Sequence, residues 1–120
     1  LVLQKLTRIL RESIRMTDSV VRYGGDEFII TLKDVNSDML TLIADQILGR
    51  IRVELKPATY DQTVTCSLGA AIFKREESAD VRAEVLIKEA DRAMYEAKRQ
   101  GGNRVCTATR DAGKWQLASV

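Results

Sequence analysis

Hydrophobic positions change their period several times along the chain, and each change marks an element. Leu3, Leu6, Leu10 and Ile14 recur at helical spacing, widened by Val2 and Ile9, with Arg8, Arg11, Glu12 and Arg15 on the other side. This predicts an amphipathic helix that opens at Leu1 without an N-cap, as if cut from a longer chain. Two β-rich runs follow, Val20-Val21-Arg22-Tyr23 and Phe28-Ile29-Ile30-Thr31-Leu32, joined through Gly24-Gly25-Asp26-Glu27. Glycine supplies the positive φ of a tight turn and a bare backbone, so the pattern predicts a hairpin. A loop with Asp34, Asn36 and Ser37 leads to a second predicted helix. Its buried face is Leu40, Ile43, Ala44, Ile47, Leu48 and Ile51, and Pro57 and Asp61 mark the connection after it.

From Thr63 to Phe73 the residues alternate. Val64, Cys66, Leu68, Ala70 and Ile72 form one apolar face, with Thr65, Ser67 and Gly69 on the other. This predicts a strand, and Gly69 leaves room for a close neighbour on the second face. Ala83, Leu86, Ile87, Ala90, Met94 and Ala97 predict a third helix that stops at Gly101-Gly102. Asn103 to Thr107 completes the order as a short strand, while Ala108 to Val120, including the lone Trp115, shows no period. The order of elements predicts an α/β sandwich of the α+β kind. Its mainly antiparallel sheet has the hairpin at its centre and helices covering it. Such a fold usually leads its first helix with a strand, so one strand of the sheet is expected to be missing.

Composition narrows the chemistry. The 120 residues suit one domain, 45% hydrophobic and 30% charged. Lys and Arg number 19 against 17 Asp and Glu, a net charge of +2, too balanced for a dedicated nucleic-acid binder. No apolar run approaches the roughly 18 residues of a membrane span, and no signal peptide opens the chain, so no membrane contact is expected. With no His at all, imidazole catalysis, His-containing triads and the usual zinc sites are excluded. Cys66 and Cys106 lie far apart in no CxxC pair, which suggests reduced, buried thiols and a cytoplasmic setting. Any catalysis must use carboxylates, Lys, Arg, hydroxyls or a hard metal.

Tyr23-Gly24-Gly25-Asp26-Glu27-Phe28 is the sharpest feature. Adjacent carboxylates at a glycine-rich turn repel each other, and a hard cation such as magnesium would resolve that repulsion. By themselves these residues fit a solvated turn better than a metal site. Lys98, in the last turn of the third helix, fits a cation that complements the helix dipole, and Arg22 fits a solvated hairpin flank.

The segment Arg22-Tyr23-Gly24-Gly25-Asp26-Glu27-Phe28 resembles the signature hairpin of GGDEF domains, the bacterial diguanylate cyclases. Ser67-Leu68-Gly69-Ala70-Ala71 resembles a following strand of that family. Glu89-Ala90-Asp91-Arg92-Ala93-Met94-Tyr95-Glu96-Ala97-Lys98 resembles its last helix, and Gly101, Asn103, Arg104 and Val105 its closing turn and strand. The resemblance covers Leu1 to about Thr107, leaving 108–120 as a tail of unassigned role. It implies a nucleotide-cyclase-like palm fold that condenses two GTP into cyclic di-GMP, as a homodimer in the active state. It further implies magnesium, with manganese as the alternative ion, bound by Asp26, with Glu27 beside it as a second metal ligand or as a helper of deprotonation. Arg22 would lie near the charge developing in the transition state, Gly24 and Gly25 against the nucleotide, and Lys98 on its phosphates.

Arg15-Met16-Thr17-Asp18 stands five residues before Gly24, where the family carries its inhibitory RxxD motif. The resemblance implies that Arg15 and Asp18 bind the product. A guanidinium offers paired donors to phosphate or guanine, and a carboxylate accepts from guanine N–H groups. Arg8, Arg11 and Arg15 form a basic stripe beside it, although Arg15 and Asp18 also fit a simple pair at the helix end.

Two departures from the family shape the expectations. Its opening strand, with a metal-binding Asp, and the Asn and Asp that read guanine are absent from these residues. The 120 residues alone are therefore expected to be inactive, and to be unstable or aggregate unless another chain fills the gap. Gly102 stands where active members commonly carry an Arg. The main reading is part of a diguanylate cyclase domain, within a larger cytoplasmic or membrane-attached parent that has a sensory or dimerising domain. The alternative is a catalytically weak GGDEF module that serves as a cyclic di-GMP receptor. An RNA-binding sandwich fits poorly, because aromatics are 5% of residues and the hairpin is acidic.

Overall fold

The fold was obtained as a computed structural model, which describes residues 2–24, 27–55, 64–73, 82–111 and 113–119. The predicted helices and strands are present together with one strand that was not expected, β5, in the order α1 (Val2–Glu12), β1 (Ser19–Gly24), β2 (Glu27–Thr31), α2 (Ser37–Glu54), β3 (Ser67–Ile72), α3 (Ala83–Arg99), β4 (Arg104–Asp111) and β5 (Lys114–Ser119). The chain divides into two compact units, Leu1–Thr65 and Cys66–Val120.

In the first unit α1 buries Ile9 and Leu10, and α2 buries Ala44, Ile47, Leu48 and Ile51, with Leu55 behind them. Asn36 starts α2 because its side-chain oxygen accepts from the Met39 amide at 2.8 Å, and Asp38 favours the positive end of the dipole. Arg50 ties the two helices, bonding Glu54 at 2.6 Å on its own helix and Glu12 of α1 at 3.3 Å. β1 and β2 form an antiparallel hairpin with Ser19 opposite Thr31 and Arg22 opposite Phe28. The register then slips, so that Gly24 faces Glu27 and Tyr23 is the extra residue of a bulge. Gly25 and Asp26, on which the expected turn falls, lie outside the described residues.

In the second unit β4 is the central strand, parallel to β3 and antiparallel to β5. The strand expected over Thr63–Phe73 runs from Ser67 to Ile72, and Thr63 lies outside the described residues. Gly69 meets its expected close neighbour, which is α3: a Cβ there would fall 2.1 Å from the Ala90 carbonyl oxygen and 2.2 Å from the Met94 nitrogen. Small residues let helix and sheet approach. Ala93 and Ala97 of α3 are fully buried with Cys106 and Ala108 of β4. The buried stripe of α3 is therefore turned relative to the sequence reading: Ala93 joins it, while Ile87 is 36% exposed.

The closing strand expected over Asn103–Thr107 continues to Asp111, and the tail without a period forms β5. Gly113, at φ +77°, sits in the connecting turn. Trp115 and Leu117, on one face of β5, pack over the small-residue core. The architecture is an α+β fold; among the described residues β1–β2 is an antiparallel two-stranded sheet and β3–β4–β5 a mixed one, so two of the three strand pairings are antiparallel. Both thiols are free, Cys106 buried and Cys66 half-buried, and burial pushes Cys66 up to about 11, which keeps it protonated and unreactive at neutral pH.

Candidate functional site

The hairpin carries candidate groups at both ends. At its tip the exposed side chains of Arg22 and Glu27 flank the Gly24 backbone, with the bulge at Tyr23 between them. Bulges re-aim the side chains beside them and are common next to active sites. Glu27 supplies a hard oxygen donor without neighbouring thiols, which suits magnesium; the second carboxylate, Asp26, lies outside the described residues. Among the described residues no group of three acidic or thiol side chains gathers to hold a metal ion.

The base of the hairpin is more tightly built. Where α1 ends, Ser13 donates its hydroxyl to the Ile9 carbonyl at 2.6 Å, and the chain turns through Arg15 to Asp18. The Arg15 guanidinium bonds Asp18 through Nε to Oδ2 at 3.0 Å and through Nη2 to Oδ1 at 3.1 Å. The Arg15 amide donates to the same carboxylate at 3.0 Å, and the Asp18 amide donates back to the Arg15 carbonyl. Arg15 Nη2 also reaches the carbonyl of Lys33, just beyond β2, and the Lys33 amide donates to Asp18 at 3.3 Å. The two RxxD residues therefore close one turn and clamp it to the foot of the hairpin. The Asp18 side chain is only 1% exposed, whereas that of Arg15 is 50% exposed.

These bonds hold the Asp18 carboxyl below its ordinary value of 3.8, chiefly through the Arg15 side chain and then the two backbone amides. The Arg15 guanidinium is correspondingly held charged. A carboxylate with a depressed pKa contributes stability above its unfolded value, and that contribution is lost as pH falls through the folded value. The stability difference between the parent protein and Asp18→Asn should thus be constant above about pH 5 and shrink below 3.8, read by denaturant unfolding. An unchanged difference down to pH 2 would sink this account of the turn.

The two ends of the hairpin are about 15 Å apart along the strands. Lys98 belongs to the second unit, exposed in the last turn of α3. That helix ends in a Schellman turn: the Gly102 amide donates to the Ala97 carbonyl at 2.9 Å and the Gly101 amide to that of Lys98 at 3.1 Å. Gly101, Gly102 and Asn103 all take positive φ, +116°, +74° and +53°. Gly102 suits its left-handed position, where an Arg would be strained. Neither nearby Arg is uncommitted. Arg99 pairs with Glu96 at 2.5 Å, while Arg104 folds back on the turn.

Comparison with known proteins decides the family. The sequence model described as "Diguanylate cyclase, GGDEF domain" matches residues 1–104. The chain belongs to the GGDEF family. Diguanylate cyclase DosC of Escherichia coli K12 is 39% identical over 106 residues, 87% of this chain and 22% of the relative. Diguanylate cyclase A of Treponema denticola is 33% identical over 88% of this chain and 28% of its own length. The chain thus spans about a quarter of the curated relatives it matches. The GGEEF domain of a diguanylate cyclase from Vibrio cholerae superposes with a TM-score of 0.70 at 28% identity, over 88% of this chain and 65% of that one. The coiled coil and GGDEF domain of DgcB from Caulobacter crescentus, at 24% identity, shares the fold with a TM-score of 0.75 over 89% and 56% of the two chains.

Within this GGDEF domain, sequence spacing found the RxxD pair but not its anchor, because the Lys33 carbonyl and amide carry no residue-type signal. It also missed the bulge at Tyr23. Among the described residues no helix is long and apolar enough to cross a membrane.

Proposed function

We propose that this domain, in its parent protein, condenses two GTP into cyclic di-GMP and is inhibited by that product. The closed Arg15–Asp18 turn at the foot of a hairpin with the GGDEF sequence at its tip carries this reading. The relatives bear the name diguanylate cyclase, and the DgcB structure is a complex with cyclic di-GMP.

Asp26 and Glu27 would hold magnesium, which when bound supplies Lewis acidity at the α-phosphate and acidifies the attacking 3′-hydroxyl. The bare backbone at Gly24 and Gly25 lets a nucleotide lie close, and Lys98 neutralises its triphosphate. Arg22, beside the tip, opposes charge that grows in the transition state. Each protomer of a homodimer would present one GTP. A GTP substrate and free thiols support a cytoplasmic setting, where the domain would sit beside a sensory or dimerising domain of the parent.

At the other end Arg15 presents an exposed, planar guanidinium already fixed by Asp18. Product binding would exchange the Lys33 carbonyl for a phosphate or guanine acceptor, a charge-assisted bond of shorter, stronger type. Arg15→Ala should raise the cyclic di-GMP concentration for half-inhibition at least about tenfold, the loss of a bidentate contact worth about 1.5–3 kcal/mol. Equal loss of turnover and product affinity would assign Arg15 to the fold alone.

One observation favours a second reading, a cyclic di-GMP receptor of weak activity. Gly102 removes a cation from the nucleotide end of α3, and Arg99 is paired with Glu96. GTP turnover and cyclic di-GMP binding, measured side by side on the full-length protein, separate the two: binding without turnover selects the receptor.

A further inference from the structure

The C-terminal strand β5 lies beyond the residues matched by the family, yet it is bonded to the turn that ends α3. Ser119 donates its hydroxyl to Gln100 Oε1 at 2.8 Å. The same oxygen accepts from Arg104 Nη1 at 3.3 Å, and Arg104 Nε donates to the Gly102 carbonyl at 3.1 Å. The other half of the Gln100 amide donates to Glu96 at 3.0 Å, and Glu96, held at about 2 by Arg99 and Gln100, stays ionised. Gln100 is the C-cap of α3, so one side chain joins the end of β5, the last helical turn and the positive-φ turn after it.

We propose that β5 is a strap and Gln100 a positioning residue: together they fix the end of α3, and so the place from which Lys98 meets the nucleotide phosphates. Three observations support this. A cleft of about 230 Å³ opens between Glu96, Gln100, Leu117, Ala118 and Ser119, so hydrogen bonds add to packing in holding this corner. Next, three consecutive positive-φ residues, two of them glycine, make a turn with little stiffness of its own, and Arg104 clasps its carbonyl. Finally, Trp115 and Leu117 anchor the strap on the core, while Ser119 stands opposite Cys106 in the ladder, its hydroxyl 3.9 Å from the Sγ. The strap is thus seated independently of the turn it holds.

The proposal rests on the GTP reading above, and its test keeps the two apart. Ser119→Val and Ser119→Thr have nearly the same shape, but only Thr keeps the hydroxyl. In the full-length protein Ser119→Val, and Gln100→Ala more so, should raise KM for GTP about three- to tenfold with kcat within about twofold, and weaken binding of a non-hydrolysable GTP analogue equally. Ser119→Thr should restore wild-type values. Adding Ser119→Val to Gln100→Ala should cost nothing further, because the bond is already gone. A wild-type KM and analogue affinity in Ser119→Val, or a loss in Ser119→Val that Ser119→Thr shares, overturns the strap while GTP use stands. A lowered Tm with unchanged KM overturns it too, leaving only a structural bond. Failure of the parent protein to bind or turn over GTP overturns the functional reading, and the strap's role falls with it.

Discussion

On the proposed function, Asp26→Ala combined with Glu27→Ala should abolish magnesium-dependent GTP turnover in the full-length protein, a fall of at least about 10³-fold, while cyclic di-GMP should still bind. The size follows from removing both charged oxygen donors that the hairpin offers to a metal, a role for which no described His, Cys, Asp or Glu cluster substitutes. On the same reading binding should survive, because Arg15 and Asp18 lie at the opposite end of the hairpin, held by the Lys33 backbone and not by the tip. Folding survives as well. Glu27 is exposed, and removal of two like charges from one turn relieves repulsion, so Tm should stay level or rise slightly. Turnover by steady-state assay, and cyclic di-GMP binding by calorimetry, check both halves. Retained turnover would refute the metal assignment; loss of cyclic di-GMP binding would show that the two ends of the hairpin are not independent.

Periodicity carried most of the fold because burial here is one-sided. Of the six apolar positions that helical spacing singles out on α2, Ala44, Ile47, Leu48 and Ile51 are buried, and Leu40 and Ile43 are half-buried. The signal failed where small residues form the core. On β4 and β5 the inward positions include Cys106, Ala108 and Leu117 against Ala93 and Ala97, a pattern with little hydrophobic contrast. The Gly113 turn and the Trp115–Leu117 alternation were the available clues to β5. Ile87 failed differently. It has the spacing and polarity of a core residue, but α3 is oriented by how closely Ala93 and Ala97 approach the sheet, which spacing on one helix does not encode.

The candidate site divides along the same line. Arg15 and Asp18 are three residues apart, so their pairing is local and legible. Their clamp on Lys33 and the bonds of Gln100 to Ser119 and Arg104 join distant or weakly marked positions, partly through backbone atoms that every residue shares. Sequence motifs thus name the reacting groups more readily than the groups that hold them in place.

Gly69→Ala should destabilise the second unit by about 3 kcal/mol or more, the largest loss expected from a Cβ added at any of the described glycines Gly49, Gly69, Gly101, Gly102 and Gly113. The new Cβ would lie 2.1 Å from the Ala90 oxygen, 2.2 Å from the Met94 nitrogen and 2.7 Å from the Met94 Cα. All three are backbone atoms, so no rotamer change relieves the clash. Relief requires lifting α3 from β3, which opens the contacts that bury Ala93 and Ala97 against Cys106 and Ala108. Gly49→Ala supplies the opposite sign. Gly49 lies within α2 with nothing within 4 Å of an added Cβ, so the substitution meets no clash and gains helix propensity, about 0.5–1 kcal/mol of stabilisation. Denaturant unfolding of both variants in the full-length protein measures the contrast. Equal small effects at the two positions would mean that α3 does not sit this close to β3, and the seat of Lys98 on that helix would need to be redrawn.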